Sequence, residues 1–481
     1  MNTKRLIEAA GLAKIALARR RLLDFTQYTF PTYQAGWFHA HVCERLEQFF
    51  RDVQDKKSPR LMLYAPPRHG KSELVSRRFP AWAFGRDPDL QFIATSYAQS
   101  LASDMNRDTQ GIMKDPSYNE LFPGTVLPGK GIFAVDGKMK KCDSEQFGIV
   151  DHEGQYRCAG VGGGITGSGA NIFIIDDPVK DAMEADSELT RERVWNWYLS
   201  TASTRLEPGG GMLLMMTRWH TDDLAGRLLK EMEDETGDEW EVVKYPAIAK
   251  EDEKHRKQSE ALHPERYSLD ELKKFKIAKG TRVWNSLYQQ SPTDYEGGFF
   301  QRNWFEIVEA APATGKVCRY WDRAATEQDG KNDPDWTAGP KMRRDKNGIF
   351  YIEDVERFRG SPFQVETRIA NTASQDGRLC KIGLEQEPGA SGKAEANYYT
   401  RVLSGYNVKV DSPQASKTVR ASPFAAQAEA GNVKLVRGKW NKIYLDELCE
   451  FPTGKHDDQV DGSSGAFHQL DESRYSMYTQ M

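Results

Sequence analysis

The sequence predicts an α/β protein with a P-loop nucleotide-binding domain followed by a second α/β domain that carries its own acidic site. Three observations lead there. LMLYAPPRHGKSELV, Leu61–Val75, is an apolar strand running into a phosphate loop and then a helical pattern. From there to about residue 250, apolar strands alternate with helical stretches, the pattern of a mostly parallel sheet covered by helices. Beyond residue 300 a second series of strands ends in carboxylates.

Within the first stretch, Leu61–Tyr64 reads as the buried strand and APPRHGKS, Ala65–Ser72, as a P-loop with Ala at the first glycine position. Such a loop turns backbone N–H groups toward phosphates, and the helix N-terminus behind it adds positive partial charge. Gly70 lets the chain approach the anion, Lys71 reaches the β and γ phosphates, and Ser72 holds Mg²⁺, so ATP with Mg²⁺ is the expected ligand. NIFIIDDP, Asn171–Pro178, drives four apolar residues straight into two acids, as a buried parallel strand does at its ligand-binding edge. Asp176 is expected on the Mg²⁺ of the P-loop site and Asp177 on the attacking water. In MLLMMTRWHTDDLAGRLL, Met212–Leu229, Thr217 and Arg218 follow another strand, where polar groups can sense the γ-phosphate; a helix cap or salt bridge is the other reading of Arg218. Gln34, upstream in YTFPTYQAGWFHAH, is a candidate adenine reader or a surface glutamine.

At 481 residues the chain exceeds one ordinary core. Its 39% hydrophobic and 28% charged residues are globular proportions, and a net charge of −4 leaves nucleic-acid binding to a local patch. Six cysteines without a CxxC pair argue against a zinc site or a disulfide scaffold and fit a reducing cytosol. No apolar run reaches membrane-spanning length, so no membrane partner is expected. The N-terminal stretch, with Arg5 and Arg19 to Arg21, reads as a basic amphipathic helix of the fold.

In order, residues 1–60 are expected to be helical and 61–250 to form the nucleotide-binding domain, with a strand over Leu90–Tyr97 and a helix over Gln99–Met113. Residues 123–165, rich in Gly, Asp and Lys, read as a β-hairpin or loop excursion. GGGITG, Gly162–Gly167, matches a dinucleotide fingerprint but precedes its strand instead of following one, which excludes that reading. A helix from Ser187 to about Thr204 and a strand over Trp240–Ala249 complete the domain. Residues 251–295 are a charged run, a helix over Leu269–Gln290 and a turn-rich linker, with the boundary near 295.

The domain at 296–481 opens with VCRYWDRAAT, a strand ending at Asp322. PDWTAGPKMRR and GIFYIEDVERFRG read as neighbouring antiparallel strands, KIGLEQEPGASGK as a strand ending at Glu385 with Glu387 on the same face, and YNVKVDSP as another strand. KHDDQVDGSSGAF starts a helix with Asp457, Asp458 and Asp461, of which the last two share a face. Clustered buried acids repel unless a cation neutralises them, so two Mg²⁺ or Mn²⁺ ions about 3.5–4 Å apart, clamping a phosphodiester hydrolysis, are the expected occupants. Solvated loop or cap residues are the alternative for each acid taken singly.

Taken together, APPRHGKSE, FIIDDP, MMTRWHTDD, YQQSPTDYEGGFF, YWDRAAT and HDDQVDG resemble, in order, the large terminase subunit of tailed bacteriophages. The resemblance covers about residues 20–470. It implies an additional-strand, RecA-like P-loop ATPase with a helical lid that drives double-stranded DNA into a procapsid. It also implies a C-terminal RNase H-like nuclease that cuts concatemeric DNA. The implied partners are portal protein, a small terminase subunit and further copies in a ring, generally a pentamer, in the host bacterial cytoplasm. By position, Arg68, Gly70, Lys71 and Ser72 match the Walker A motif, Asp176 the Walker B aspartate, and Thr217 with Arg218 the coupling motif. Asp177 stands where many members carry the catalytic Glu. Asp322, Glu385 and Asp458 match the nuclease metal-binding acids, with Asp457 and Asp461 as neighbours and Asp335 and Glu387 as auxiliaries. The arginine that members place before Walker B is replaced here by Ser168, leaving Arg157, Arg191 and Arg205 as candidates. DNA contacts are sought in KLVRGKWNK, Lys434–Lys442, and in Lys409, Lys417 and Arg420; a solvated charged face is the other reading. Two other functions remain open: a motor or helicase with a non-catalytic C-terminal docking domain, and a small-molecule phosphotransferase.

Overall fold

The computed structural model describes residues 3–129, 141–165, 167–293, 299–324, 334–386, 390–412, 415–452 and 454–471. The chain divides into one unit of Met1–Leu272 with Val283–Asp294 and another of Lys273–Arg282 with Tyr295–Met481.

The first unit opens with three helices, α1 (Thr3–Arg20), α2 (Leu22–Thr29) and α3 (Trp37–Gln54). Helix α3 is started by His39, whose Nδ1 accepts the Gly36 N–H at 2.8 Å. The elements that follow are β1 (Arg60–Tyr64), α4 (Phe79–Arg86, entered through π-helical turns at Glu73–Arg78), β2 (Gln91–Ser96), α5 (Gln99–Lys114) and α6 (Pro116–Leu121). Next come β3 (Gln146–Gly148), β4 (Gln155–Gly160), β5 (Ala170–Asp176), α7 (Ala182–Asp186), α8 (Glu188–Trp197), β6 (Leu206–Met216), α9 (Leu224–Glu233) and β7 (Glu241–Lys244). Helix α10 (Leu269–Val283), whose residues Lys273–Arg282 belong to the other unit, breaks at Gly280, which takes φ 75°.

Among the described residues, seven strands form the sheet β3-β4-β2-β5-β6-β1-β7. All pairs are parallel except β3 with β4. Side-chain alternation fixes the register: Leu61, Leu63, Ile172 and Ile174 pack on one face, Met62, Tyr64, Phe173 and Ile175 on the other. Both faces are therefore dry, as helices on either side require. Residues 146–160 form the expected hairpin, but it is no excursion, because β4 pairs along its length with β2 and extends the main sheet.

In the second unit the strands are β8 (Glu306–Val308), β9 (Lys316–Trp321), β10 (Thr337–Arg344), β11 (Phe350–Phe358), β12 (Cys380–Glu385), β13 (Asn407–Asp411) and β14 (Val433–Val436). Its helices are α11 (Pro362–Asp376), α12 (Ala390–Val402), α13 (Lys417–Glu429), α14 (Asn441–Glu450) and α15 (Asp458–Leu470). The sheet order is β13-β12-β9-β10-β11-β14-β8, with β9, β10 and β11 antiparallel and the flanking pairs parallel. Tyr320 packs on one face with Met342, Ile352, Phe424 and Phe467, while Trp321 packs on the other with Ile369, Ile382, Leu384 and Tyr399.

Among the described residues, no helix is long and apolar enough to cross a membrane, and the six cysteines are free thiols.

Candidate functional sites: a phosphate loop and a carboxylate cluster

In the first sheet β6 lies between β1 and β5. The three strands are parallel, so the loops after Tyr64, Asp176 and Met216 leave the same edge side by side. That topology brings Lys71, Asp177 and Thr217 together. Asp177 leaves β5 with φ 43°, is tied by its N–H to Met215 O (2.9 Å), and accepts the Tyr97 N–H (3.2 Å) on its carbonyl. Its carboxylate accepts the Thr217 N–H at 2.7 Å and lies 3.2 Å from Lys71 Nζ. Lys71 also donates to the Thr217 hydroxyl.

Asp176, almost fully buried, accepts the Ser76 hydroxyl at 2.6 Å from the helix that follows the P-loop. Burial above all, and then Asp177 beside it, hold its carboxyl above the usual range. Ser72 is half-buried one residue after Lys71. A serine hydroxyl and carboxylate oxygens are the hard donors that Mg²⁺ takes.

The P-loop backbone turns through left-handed conformations at Arg68 (φ 60°) and Gly70 (φ 83°). A side chain on Gly70 would also come within 3.2 Å of His39 Nε2. His39 supports the loop from beneath: its Nε2 donates to His69 O at 3.0 Å while its Nδ1 is taken by Gly36. His69 Nδ1 in turn donates to Pro67 O at 2.9 Å. Gln34 is exposed in the loop before α3; its neighbour Tyr33 packs edge-on to His39.

Arg218 has partners other than those of a γ-phosphate sensor. Its buried guanidinium pairs with Asp223 at 2.9 Å and lies over the Tyr64 ring, and its N–H donates to Gln290 Oε1. Asp223 is the cap of α9, so Arg218 fixes the turn that carries Thr217. Of the candidate arginines before and after β5, Arg191 is bound by Asp222, and Arg205 bonds its neighbour Thr204. Arg157 reaches from β4 to the Ser168 hydroxyl at 2.5 Å, which places a guanidinium in the loop before β5.

The second site is organised by the close approach of α15 to the sheet. Gly462 and Gly465 face Pro340 and Tyr320, and a Cβ on either glycine would fall 2.7 or 2.4 Å from them. Helix α15 therefore lies directly on β9 and β10, with its first turn beside Asp322, which follows Trp321 and bridges to Ala338. Burial pushes the Asp322 carboxyl well above the usual range, reinforced by the charges of Asp461, Glu385 and Asp458 around it. Asp458 is 5% exposed, and its Oδ2 is buried without a hydrogen-bond partner among the described residues, with His456 Nδ1 3.9 Å away. One ligand atom each from Asp335, His456 and Asp458 lies within 4.8 Å of the others. Oxygen donors with an imidazole fit a divalent ion.

Asp322, Glu385, Asp458 and Asp461 are thus assembled. Asp457 and Asp461 already hold cations of α13: Lys417 Nζ lies 2.6 Å from Asp457 and 3.2 Å from Asp461, and Arg420 bridges Glu385 (3.0 Å) and Asp461 (2.9 Å). Glu387 lies outside the described residues. In the basic run Lys434–Lys442, Lys434, Arg437 and Lys442 pair at the surface with Glu306, Glu309 and Asp446. Sequence reasoning passed over His456, although its place directly before two aspartates was the signal. It also passed over Glu447, buried in α14, which accepts the N–H and the side-chain amide of Gln459 and anchors the start of α15.

Two family models match the chain. Residues 62–307 match the family model "Terminase large subunit, T4likevirus-type, N-terminal", and residues 319–470 match "Terminase RNaseH-like domain". Among solved structures, the large terminase of a thermophilic bacteriophage aligns at 10% identity and TM-score 0.49, covering 87% of this chain and 95% of that one. The bacteriophage HK97 large terminase aligns at 11% identity and TM-score 0.37 over 94% and 99%. The magnesium-bound nuclease of the large terminase from thermophilic phage G20c aligns at 17% identity and TM-score 0.28 over 37% and 99%. No curated protein matches the chain. The family match spans more than half of the sequence, and the chain belongs to the terminase large subunit family, with an N-terminal ATPase domain and a C-terminal RNase H-like domain.

Proposed function

We propose that this chain is the motor and nuclease of a viral genome-packaging machine. ATP hydrolysis in the first domain drives double-stranded DNA into a procapsid, and the second domain cuts concatemeric DNA to start and end packaging. The observation that carries the reading is that one chain bears two chemically distinct groups of polar side chains. One is the Lys71–Asp177–Thr217 triangle behind a P-loop, the other the Asp322–Glu385–Asp458 cluster on a second sheet.

Lys71 is held by Asp177 and Thr217. Phosphate oxygens arriving in the P-loop take over the Lys71 ammonium, and the Asp177 carboxylate is then free to orient and polarise water. Thr217 touches both partners, so it registers the exchange and passes it along the turn that Arg218 and Asp223 brace. Ser72 and Asp176 hold the Mg²⁺ of the nucleotide, Arg68 adds charge at the loop, Gln34 reads the base, and Arg157 is the guanidinium offered to a neighbouring subunit. In the second domain Asp322, Glu385 and Asp458, with Asp335 and His456, hold divalent ions. Bound Mg²⁺ or Mn²⁺ supplies a water nucleophile and stabilises the leaving oxygen. The expected partners are DNA, portal protein, a small terminase subunit and further copies in a ring, in the host cytoplasm. In this reading the domains run over 61–250 and 296–481, with helices before the first and a linker between them.

The test is plasmid cleavage with Mg²⁺ or Mn²⁺, with ATP hydrolysis assayed in parallel, for wild type, Lys71→Ala and Asp458→Ala. Lys71→Ala should lose hydrolysis and keep cutting, and Asp458→Ala should do the reverse. A wild type that hydrolyses ATP but never cuts overturns the nuclease half and leaves a motor with a docking domain.

A further inference from the structure

The carboxylate cluster is partly neutralised by the chain itself, and its two cations are not equivalent. Helix α13 is capped by the Ser416 hydroxyl, and its first turn points Lys417 and Arg420, three residues apart, into the acids. Arg420 is 14% exposed, spans Glu385 and Asp461 with two nitrogens, and is anchored through its carbonyl to His468 of α15. It is built in. Lys417 is 52% exposed and touches Asp457 and Asp461 with a single ammonium at the end of a four-carbon stem.

Glu385, Asp457 and Asp461 contact these two cations, and Asp322 and Asp458 add their charge to the cluster, so charge remains for a divalent ion. Asp458 Oδ2, buried and without a hydrogen-bond partner among the described residues, marks one place where a cation would satisfy that charge. Once divalent charge is taken up in the cluster, the ammonium of Lys417 is repelled by a like charge beyond Asp457 and Asp461 and attracted less by these acids. Arg420 cannot respond, because it is enclosed. Lys417 can, and it stands at the open rim.

We propose that Lys417 is a cation-released phosphate ligand of the nuclease site. It holds Asp457 and Asp461 while the site lacks a divalent ion, and transfers its ammonium to a DNA backbone phosphate when the site is charged. The inference rests on the nuclease reading above. Its consequence is opposite to that of an ordinary structural salt bridge: removing Lys417 strengthens metal binding and weakens DNA binding, the latter only when divalent ions are present.

The experiment uses the full chain as wild type, Lys417→Gln, Lys417→Arg and Asp458→Asn. Mn²⁺ binding is titrated without DNA, and a short duplex is bound in Ca²⁺ or in EDTA across a salt series. Lys417→Gln should bind Mn²⁺ about three- to tenfold more tightly, and in Ca²⁺ its salt slope for DNA should be about one unit shallower. In EDTA it should match wild type, and Lys417→Arg should restore the slope. Unchanged or weaker Mn²⁺ binding by Lys417→Gln, or an equal loss of DNA affinity in Ca²⁺ and EDTA, overturns the proposal. If wild type takes no Mn²⁺, or Asp458→Asn takes as much as wild type, the nuclease reading itself fails. If wild type binds Mn²⁺ and cuts while Lys417→Gln behaves identically, only the role of Lys417 falls.

Discussion

Protonating His39 should weaken the first domain where the P-loop rests on it. The ring is committed at both nitrogens, Nδ1 accepting from Gly36 N–H and Nε2–H donating to the His69 carbonyl. A proton on Nδ1 would set one N–H against another. Burial, the leading cause, pushes the His39 pKa down to about 4. In the unfolded chain the ring titrates near 6.5, so between about pH 6.5 and 4 the unfolded state binds the extra proton. Stability is therefore complete above pH 6.5 and is lost as pH falls through that window. The loss from this ring is about 2 kcal/mol at pH 5 and about 3 kcal/mol below pH 4. His39→Asn keeps an acceptor for Gly36, drops the donor to His69 and does not titrate. It should cost about 1–3 kcal/mol at pH 7.5, with the gap to wild type closing by about 2 kcal/mol at pH 5. Asp176, raised by burial, pulls the other way in both proteins and cancels in the comparison. Urea unfolding of the two proteins at pH 7.5, 6 and 5 measures the gap, with ATP affinity as a second reading of the loop. A gap that stays constant across that range would refute the reasoning.

Gly465→Ala places a Cβ 2.4 Å from the Tyr320 ring and must lift α15 from the sheet. The second domain should lose about 1–3 kcal/mol, read by thermal unfolding, and Mn²⁺ affinity should fall with it because Asp458 rides on that helix. Asp458 is pushed up to about 6, chiefly by burial. Protons then compete with metal, and Mn²⁺ affinity should drop about tenfold from pH 7 to pH 5 in titration calorimetry, where a flat profile would exclude Asp458 as a ligand. Arg319 is buried between Asp376 (2.5 Å) and Asp354 (2.9 Å). Arg319→Met should cost about 1–3 kcal/mol in the same denaturation assay, because Asp376 loses its guanidinium but keeps the Lys341 ammonium at 3.1 Å.

What could be read from the chain, and what could not, follows the range of the interactions involved. The strands β1, β2, β5, β6 and β9 to β13 were legible because apolar runs between turn residues are local, and the acids at the ends of β5, β9 and β12 were legible for the same reason. The meeting of Lys71 with Asp177 and Thr217 depends on β6 lying between β1 and β5, which no local pattern states; it had to come from the order of motifs along the chain. Arg218 carried two readings in the sequence, a phosphate sensor or a capping and salt-bridging residue. Its position after a strand fitted a phosphate sensor, and only the Asp223 cap five residues on, competing for the same guanidinium, decides where it points.

The α13 cations make the limit sharpest. Lys417, Arg420 and the run Lys434–Lys442 are indistinguishable as positive charge in a sequence, and all were candidates for DNA. The fold separates them by what lies across from each. Lys434 stands on a strand beside Glu306, so its charge is already paired at the surface. Lys417 and Arg420 start a helix whose capped first turn is aimed at acids drawn from β12 and α15, elements remote in sequence. A cation beside surface glutamates adds little, since exposed pairs contribute about 0–1 kcal/mol. The same cation inside a carboxylate cluster decides how much charge is left for a metal. The functional weight of these residues therefore resides in the pairing across elements and not in their identity, and the contrast between Lys417→Gln and a rim change such as Lys434→Gln isolates it. Only the former should alter Mn²⁺ affinity; an equal effect of both would reduce Lys417 to general surface charge.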